Sequence, residues 1–224
     1  MNAKDLKVLF LRKKENEFAQ RAEDFVRKTF PNALIFSGNR KDKLPEEVLN
    51  WEGDLIISFI SSWIYPASLL ERAQMAAINF HPGSPEYPGT GCTNFAIYDG
   101  AKEYGITCHY MNSGVDSGKI IMVKRFPVSL TDTVYDVTQR CYQLIEESFY
   151  EVIDIILRGE PLPLSDEQWT KKPYTRKQLD ELCYVTADMN EEEISRRIKA
   201  TTYKTPWAFT RIGNYIFKLQ PENK

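Results

Sequence analysis

The stretch DLIISFISSWIYPASLLERAQMAAINFH, residues 54–81, contains two apolar runs separated by a helical pattern. Residues 54–60 are almost continuously apolar, which is typical of a strand that is covered on both faces of a sheet. Residues 66–74 predict a helix, and residues 76–80 predict the next strand. A strand, a helix and a second strand in this order favour a parallel sheet.

The same alternation continues on both sides of this stretch. Further strands are predicted at residues 7–12, 33–36, 105–111 and 119–128, and further helices at residues 16–30, 44–51, 93–98 and 132–158. We therefore expect an α/β fold with a Rossmann-like, mostly parallel sheet and helices on both faces. In such folds the functional site lies beyond the carboxyl ends of the strands.

The pattern changes after residue 160. A connector rich in proline and charge, PLPLSDEQWTKKPYTRK at residues 161–177, precedes a predicted helix at residues 191–200. Gly213 and Asn214 then stand between two alternating runs, as in a hairpin turn. We divide the chain into a main domain, residues 1–160, and a small C-terminal extension, residues 161–224. The extension is expected to pack on the main domain or to form part of a subunit interface.

The composition is that of a soluble globular protein. Of the 224 residues, 42% are hydrophobic and 27% are charged, in contrast to the polar, charge-rich composition of disordered chains. The longest apolar stretch, residues 55–65, is roughly half the ~20 residues that a membrane-spanning helix needs, and the first residues contain no apolar leader segment. We therefore expect a cytoplasmic protein without membrane contact.

Charge and cysteine usage narrow the class of partners. The net charge of −2 and the pI of about 5.8 argue against a broad nucleic-acid surface, because such surfaces neutralise phosphates. The four cysteines show neither a C-x-x-C pair nor a zinc pattern, so we expect reduced thiols and no metal site. A small-molecule substrate is therefore favoured over a nucleic acid.

The most informative segment lies between the fourth and sixth predicted strands. Asn79 and His81 stand two apart at the end of a predicted strand, so their side chains project to the same side. Pro82 holds His81 in an extended conformation. Asp116 lies in a turn between glycines, SGVDSG at residues 113–118. Each of these residue types alone is common in caps and turns, but together they indicate a reaction centre.

Two segments of this region carry a resemblance to a known family. NFHPGSPEYPG at residues 79–89 and YGITCHYMNSGVDSGKI at residues 104–120 resemble the formyltransferases that use 10-formyltetrahydrofolate. The resemblance covers residues 5–160 by the order of elements and is sharpest over residues 78–121. The loop after His81 departs from the Ser-Leu-Leu-Pro sequence that is usual in the family. Because this loop shapes the acceptor site in the family, the identity of the acceptor is left open.

The resemblance implies that Asn79, His81 and Asp116 form the catalytic centre of the main domain. The chemistry agrees, because an amine that attacks a formyl carbonyl creates an oxyanion, which needs hydrogen-bond donors already in place. Asn79 supplies an amide N–H and His81 a second donor, while Asp116 orients His81 and accepts protons. The resemblance implies 10-formyltetrahydrofolate as co-substrate and no metal.

The resemblance also implies binding roles for two groups of residues. The pterin of the co-substrate is expected to contact the loop after the third strand and the loop that carries Asp116. The predicted folate contacts are Ser62, Trp63, Ile64, Tyr65, Asn112, Gly114 and Val115. The predicted acceptor contacts are Arg12, Lys13, Pro82, Gly83, Tyr87 and Gly89. His109, the second histidine, is interpreted as a structural residue or as one that supports the site from behind.

Three branches of the family differ in the amine that they formylate. Glycinamide ribonucleotide formyltransferase has a glycine-rich phosphate loop after its first strand, where this chain reads LRKKEN at residues 11–16. The methionyl-tRNA branch has a larger nucleic-acid-binding domain, which the acidic pI fits poorly. The third branch formylates nucleotide-linked amino sugars, and its members often end in a short tail that resembles RIKATTYKTPWAF at residues 197–209. The resemblance therefore implies a nucleotide-linked 4-amino-4,6-dideoxyhexose as acceptor, as in O-antigen or lipopolysaccharide biosynthesis. We also expect a homodimer. The alternative from another class is a folate- or nucleotide-binding protein without activity.

Overall fold

The computed structural model describes residues 2–220, which fold around a central six-stranded sheet. The strands of this sheet are β1 (Val8–Lys13), β2 (Leu34–Gly38), β3 (Gly53–Phe59), β4 (Ala73–His81), β5 (Glu103–Tyr110) and β6 (Ile120–Pro127). The helices are α1 (Glu17–Thr29), α2 (Glu46–Leu49), α3 (Ala67–Leu70), α4 (Cys92–Asp99), α5 (Val134–Arg158), α6 (Arg176–Cys183) and α7 (Glu191–Ala200). A separate hairpin follows, formed by β7 (Phe209–Ile212) and β8 (Tyr215–Lys218).

The order of strands in the sheet is β2-β1-β3-β4-β5-β6. The first four strands in this order are paired in parallel, whereas β5 runs antiparallel to both β4 and β6. The parallel part requires crossover connections, which α1, α2 and α3 help to provide. The mostly parallel α/β fold predicted from the sequence is thus confirmed.

Helices cover both faces of the sheet, and β1 shows this most directly. Val8 and Phe10 belong to the large core that includes residues of α1 and α5, whereas Leu9 and Leu11 belong to a second core with residues of α2 and α3. Because successive strand residues point to opposite faces, an apolar residue is needed at every position of such a strand. The continuous apolar runs in the sequence have this cause.

The large core contains a cluster of phenylalanine rings around Phe149 of α5. The Phe149 ring lies 5.9 Å from that of Phe10 in β1, 5.3 Å from that of Phe59 in β3 and 5.7 Å from that of Phe80 in β4, measured between ring centroids. Phe25 of α1 makes a fourth contact at 5.8 Å. One ring therefore packs three strands and one helix against α5.

The ends of α5 follow from local sequence. Thr133 caps the first turn, and its hydroxyl and the Asp136 carboxylate form a reciprocal capping box. Gly159 ends the helix in the left-handed conformation, with φ 72°, which glycine adopts without steric cost. The long helix predicted at residues 132–158, closed by Gly159, is confirmed with a start two residues later.

Two helices differ from the sequence prediction. The helix expected at residues 66–74 is only one turn long, since β4 already begins at Ala73, which pairs with Gly53 of β3. Within the connector that was expected to lack helix, α6 begins after Thr175, whose hydroxyl accepts from the Gln178 backbone. The Thr-x-x-Gln spacing at residues 175–178 is a capping-box signature and could have revealed this helix.

The C-terminal extension packs on the main domain. Asn94 of α4 donates to the Ala200 carbonyl of α7 at 2.7 Å, and Tyr98 donates to Glu193 at 2.8 Å. The hairpin turn predicted at Gly213 and Asn214 is confirmed, because Ile212 pairs with Tyr215 across it. All four residues of β8 are exposed. A role for this extension in a subunit interface stays a prediction.

Two further expectations concern the cysteines and the membrane. Cys92, Cys108, Cys141 and Cys183 are all buried free thiols, as predicted. Between residues 2 and 220, no helix has the length and apolar character that a membrane crossing requires.

Phe149→Ala should lower the free energy of unfolding by about 3–5 kcal/mol, because it leaves a cavity where five segments meet. Phe217→Ala, which removes a half-exposed ring from β8, serves as the matched control and should change it by less than about 1 kcal/mol. Urea denaturation of both variants measures the difference. Equal losses for the two variants would contradict the central role of Phe149.

Candidate active site

The carboxyl end of β4 carries the first two predicted catalytic residues. His81 is the last residue of this strand, and Asn79 lies two positions before it, so both project to the same side of the sheet. His81 is buried and Asn79 is half-buried. In register, Asn79 lies directly opposite His109 of the antiparallel neighbour β5.

Asp116 reaches this strand end from the loop between β5 and β6. One carboxylate oxygen, Oδ2, lies 3.2 Å from Nδ1 of His81 and accepts a hydrogen bond from the Gly89 N–H at 2.7 Å. The other oxygen, Oδ1, lies 3.4 Å from the Asn79 amide nitrogen. The structure thus brings together the three residues that the sequence singled out, although Asp116 is 37 positions from Asn79 in the chain.

His109 belongs to this cluster as well, which the sequence interpretation missed. Its Nε2 lies 3.3 Å from Asp116 Oδ1 and 3.1 Å from the Asn79 amide nitrogen, while its Nδ1 donates to the Tyr110 carbonyl at 2.8 Å. His109 therefore contacts the carboxylate directly and also lines the cavity, and its role as a supporting residue stays a prediction. No motif marks this residue; only the antiparallel register of β4 and β5 places it there.

The surroundings of Asp116 favour its ionised form. Burial by itself would raise the pKa of this carboxyl, but the adjacent His81 and the hydrogen bonds from His109 and Gly89 hold the pKa well below its usual value. Asp116 therefore stays a carboxylate at neutral pH and accepts hydrogen bonds.

Backbone groups surround the side of the His81 ring that faces away from Asp116. Nε2 of His81 lies 3.0 Å from the Tyr87 carbonyl oxygen, and since a carbonyl can only accept, this nitrogen carries a proton. A side chain at Gly83 would collide with the ring, because a Cβ there would come within 2.5 Å of Nε2. Gly83 and Tyr87, which the sequence analysis assigned to the acceptor, thus lie behind His81 and support it.

The backbone is left-handed at two residues of this site that are not glycine. Ile60 directly follows β3 with φ 55°, and Asp116 has φ 40°. A β-branched residue in this region is an outlier that costs free energy and persists only when its surroundings impose it. Both residues line the same cavity, so the strain lies where the predicted catalytic residues meet.

The cluster lies in an open cavity of about 810 Å³, a size that suits a small-molecule ligand. All predicted folate contacts line it: Ser62, Trp63, Ile64, Tyr65, Asn112, Gly114 and Val115. Ile64 and Val115 expose apolar side chains from the two loops, and the Trp63 indole donates to the Asp42 carbonyl at 2.9 Å. Burial raises the pKa of Tyr65 to about 12, so its hydroxyl stays protonated beside Ser58.

The predicted acceptor contacts divide into two groups. Lys13, Pro82 and Gly89 line the cavity. The buried guanidinium of Arg12 points instead into the main domain, where it pairs with Glu23 and donates to Gln20 at 2.7 Å. The structure therefore does not bring Arg12 to the site, because a buried carboxylate on α1 requires its charge.

The C-terminal extension contributes to the cavity, a point that the sequence left open. Four consecutive residues before and at the start of α6 line it, namely Pro173, Tyr174, Thr175 and Arg176. Thr90 donates to the Tyr174 carbonyl at 2.8 Å, which attaches this segment to the loop after β4. The cavity is therefore built from both predicted parts of the chain.

Within residues 2–220, no group of three or more histidine, cysteine or acidic side chains is arranged to hold a metal ion.

A family model described as formyl transferase matches residues 7–153, about two thirds of the chain. The chain belongs to the formyl transferase family. Among its sequence relatives is a methionyl-tRNA formyltransferase from Alkaliphilus oremlandii, 28% identical over 185 residues. That match covers 80% of this chain but only 58% of the relative, so the chain spans little more than half the length of this family member.

Solved structures of formyltransferases share the fold of this chain. A sugar N-formyltransferase from Shewanella superposes with a TM-score of 0.73 at 20% identity, covering 96% of this chain and 97% of that structure. An N-formyltransferase from Helicobacter canadensis, solved with folinic acid and dTDP-3-aminofucose, gives a TM-score of 0.72 at 18% identity, covering 93% and 85%. At these identities the similarity establishes the fold, including the C-terminal extension.

Asp116→Asn should lower the free energy of unfolding at pH 7 by about 1–3 kcal/mol, because two histidines and the Gly89 N–H lose a charged acceptor. The folded-state pKa of Asp116 is depressed, so its stabilisation is complete above the unfolded-state value of about 3.9 and is lost as the pH falls through the folded value. The difference between wild type and variant should therefore shrink below about pH 4.

Urea denaturation between pH 7 and pH 2.5 measures this dependence. The exposed Asp166→Asn is the control and should leave stability nearly unchanged across that range. A stability gap between wild type and Asp116→Asn that stays constant with pH would show that the carboxylate charge is not what the cluster requires.

Proposed function

We propose that this chain transfers a formyl group from 10-formyltetrahydrofolate to the amine of a nucleotide-linked amino sugar of the 4-amino-4,6-dideoxyhexose type. The observation that carries the proposal is the convergence of Asn79, His81 and Asp116 on one side of an open cavity in a chain of the formyl transferase family. Small-molecule formyl transfer needs this combination of donors, a proton acceptor and space.

The cavity walls suit a folate co-substrate. The loops at residues 61–65 and 112–115 present backbone groups together with apolar side chains, which match a flat ring system with polar edges. The Helicobacter canadensis enzyme of similar fold was solved with folinic acid, a formylated folate. When bound, the co-substrate supplies the formyl carbon that the acceptor attacks.

The side chains of the cluster divide the chemistry among them. The bond between the acceptor nitrogen and the formyl carbon forms while the bond from that carbon to the folate nitrogen breaks, and a proton passes from the first nitrogen to the second. Asn79 donates a hydrogen bond to the oxygen that becomes negative, and His81 becomes the second donor when its N–H turns from the Tyr87 carbonyl to that oxygen. Asp116, kept ionised by its neighbours, holds His81 and accepts the proton from the acceptor amine, directly or through water.

The acceptor side of the cavity carries cationic and aromatic groups. Lys13 is the last residue of β1, and its Nζ lies 3.3 Å from the Tyr142 hydroxyl. Arg176 is the first residue of α6, and both cations line the cavity. Cations of this kind bind phosphate oxygens, which a nucleotide sugar would bring. The end-to-end similarity to the sugar N-formyltransferase from Shewanella supports the same class of acceptor. The proposed acceptor carries dTDP, GDP or UDP as its nucleotide. The proposed pathway is O-antigen or lipopolysaccharide biosynthesis.

Methionyl-tRNA is the second candidate acceptor, because sequence relatives such as those from Alkaliphilus oremlandii and Enterococcus faecalis, at 28% and 29% identity, are methionyl-tRNA formyltransferases. The acidic balance of this chain, with net charge −2, favours a small acceptor over tRNA, since tRNA binding depends on phosphate neutralisation.

The proposal also includes the assembly and the location of the protein. We propose a cytoplasmic homodimer that has neither a nucleic acid nor a membrane as partner.

The acceptor can be identified by a panel assay. Wild-type protein with 10-formyltetrahydrofolate and a set of nucleotide-linked amino sugars should release tetrahydrofolate and give a sugar product heavier by one formyl group. Aminoacylated methionyl-tRNA and glycinamide ribonucleotide are included as competing acceptors. Formylation of the tRNA alone would replace the sugar proposal with the second candidate. Absence of turnover with every acceptor of the panel would favour a binding protein without activity.

His81→Ala and Asn79→Ala should each lower kcat by about 100- to 1000-fold, because each removes a donor to the developing oxyanion. Folate binding, measured by calorimetry, should be retained, since neither residue lies in the loops proposed to hold the pterin. Asn32→Ala, at an exposed loop position, is the control for asparagine loss. Full activity in His81→Ala would refute the mechanism.

A further inference from the structure

Residues 165–176, called the strap below, run along the main domain beside the catalytic cluster. Near the start of the strap, Ser165 N donates to Ile120 O at 3.0 Å, and in its middle Thr170 N donates to Pro85 O at 3.2 Å. Because these are backbone bonds, they define the path of the chain rather than the position of one side chain. The strap is thus attached to β6 and to the loop that follows β4.

The end of the strap holds the loop segment that contacts Asp116. Tyr174 N donates to Pro88 O at 2.9 Å, and Thr90 N donates to Tyr174 O at 2.8 Å. Gly89 lies between these two bonds and donates its own N–H to Asp116. With φ 87°, Gly89 is left-handed, and a side chain there would collide with the Tyr174 backbone. The strap therefore holds the donor that fixes the carboxylate.

Salt bridges to Arg125 form a second connection between the strap and the loop after β4. Arg125 of β6 pairs with Glu86 of the loop, at 2.9 Å between Nη2 and Oε1, and also with Glu167 of the strap. Burial alone would raise the pKa of Glu86, but the hydrogen bonds from Arg125 lower it below its usual value. Glu86 directly precedes Tyr87, whose carbonyl accepts from His81, so this pairing lies one residue from the catalytic ring.

Trp169 connects the strap to the two histidine rings themselves. Its indole lies 5.9 Å from the His81 ring and 5.0 Å from the His109 ring between centroids, in edge-to-face arrangements. The indole N–H donates to the Gly118 carbonyl at 2.8 Å, in the turn that carries Asp116. One side chain therefore contacts both histidine rings and the turn that carries the carboxylate.

We propose that the strap is a positioning element of the active site and that Trp169 is its central positioning residue. Trp169 holds both imidazole rings in the orientation that faces Asp116 and keeps water from the side of the rings opposite the cavity. Interactions with the carboxylate are stronger where water is excluded. The role in turnover rests on the proposed function, whereas the role in ring orientation does not.

The composition of the chain offers a direct readout of ring orientation. The sequence contains two histidines, His81 and His109, so a protein labelled at histidine gives two sets of imidazole NMR signals. Trp169→Ala should shift the ring ¹⁵N signals of both histidines at fixed pH, because these signals report the hydrogen bonds of each ring nitrogen and depend little on the ring current of a neighbouring indole. Trp169→Phe keeps an aromatic ring but loses the bond to Gly118, and it should shift them less. Trp207→Ala, a tryptophan loss elsewhere in the extension, should shift neither.

Kinetics give the second readout. Trp169→Ala should lower kcat by about 10- to 100-fold with KM values close to wild type, as expected for misplaced reacting groups, and Trp169→Phe should recover most of the rate. Thermal denaturation confirms that each variant is folded. The proposal is overturned if the Trp169→Ala imidazole signals, or its kcat, match those of Trp207→Ala. If wild type formylates no acceptor, the proposed function fails, and the imidazole signals alone decide the positioning role.

Discussion

The buried carboxylate of Asp116 is the group on which the rest of the site depends. It is contacted by Asn79 and His81 from β4, by His109 from β5 and by the backbone of Gly89 from the loop after β4. A buried carboxylate without partners is costly, so each of these groups must be in place before the others are stable. The site is therefore assembled as a unit when the tertiary structure forms.

The change of direction in the sheet makes this arrangement possible. The first four strands are parallel and deliver their carboxyl ends to one edge, where β4 presents Asn79 and His81. The antiparallel β5 then places His109 opposite Asn79, and the loop to β6 returns to the same edge with Asp116. Because β5 runs against β4, its carboxyl end at Tyr110 lies opposite Ile78, and the following loop turns back to bring Asp116 to His81. Two hydrogen-bonded strands of opposite direction thus bring both histidines to one carboxylate.

The two walls of the cavity have different origins. The wall expected to hold the pterin comes from loops of the main domain, at residues 61–65 and 112–115, whereas part of the wall proposed for the acceptor comes from residues 173–176 of the extension. Under the proposed function, side chains of the second wall can differ between family members as long as the Tyr174 backbone keeps its bonds to Pro88 and Thr90. Family members of similar sequence and of similar structure differ in the acceptors that their names state, in agreement with this division.

The sequence by itself determined the features that depend on neighbouring residues. Apolar runs defined the strands, Gly213 with Asn214 defined the hairpin turn, and the spacing of Asn79 and His81 placed both on one side of a strand. Such patterns are local, since strand period and turn chemistry act over a few residues.

Only the tertiary structure decided which distant residues meet. Strand register brought His109 to Asp116, a buried ion pair with Glu23 took Arg12 away from the cavity, and the path of the extension placed Trp169 against both histidines. Gly83, expected to contact a ligand, instead makes room for the His81 ring. These outcomes depend on how whole elements pack, because burial and pairing of charges involve groups that are far apart in the chain.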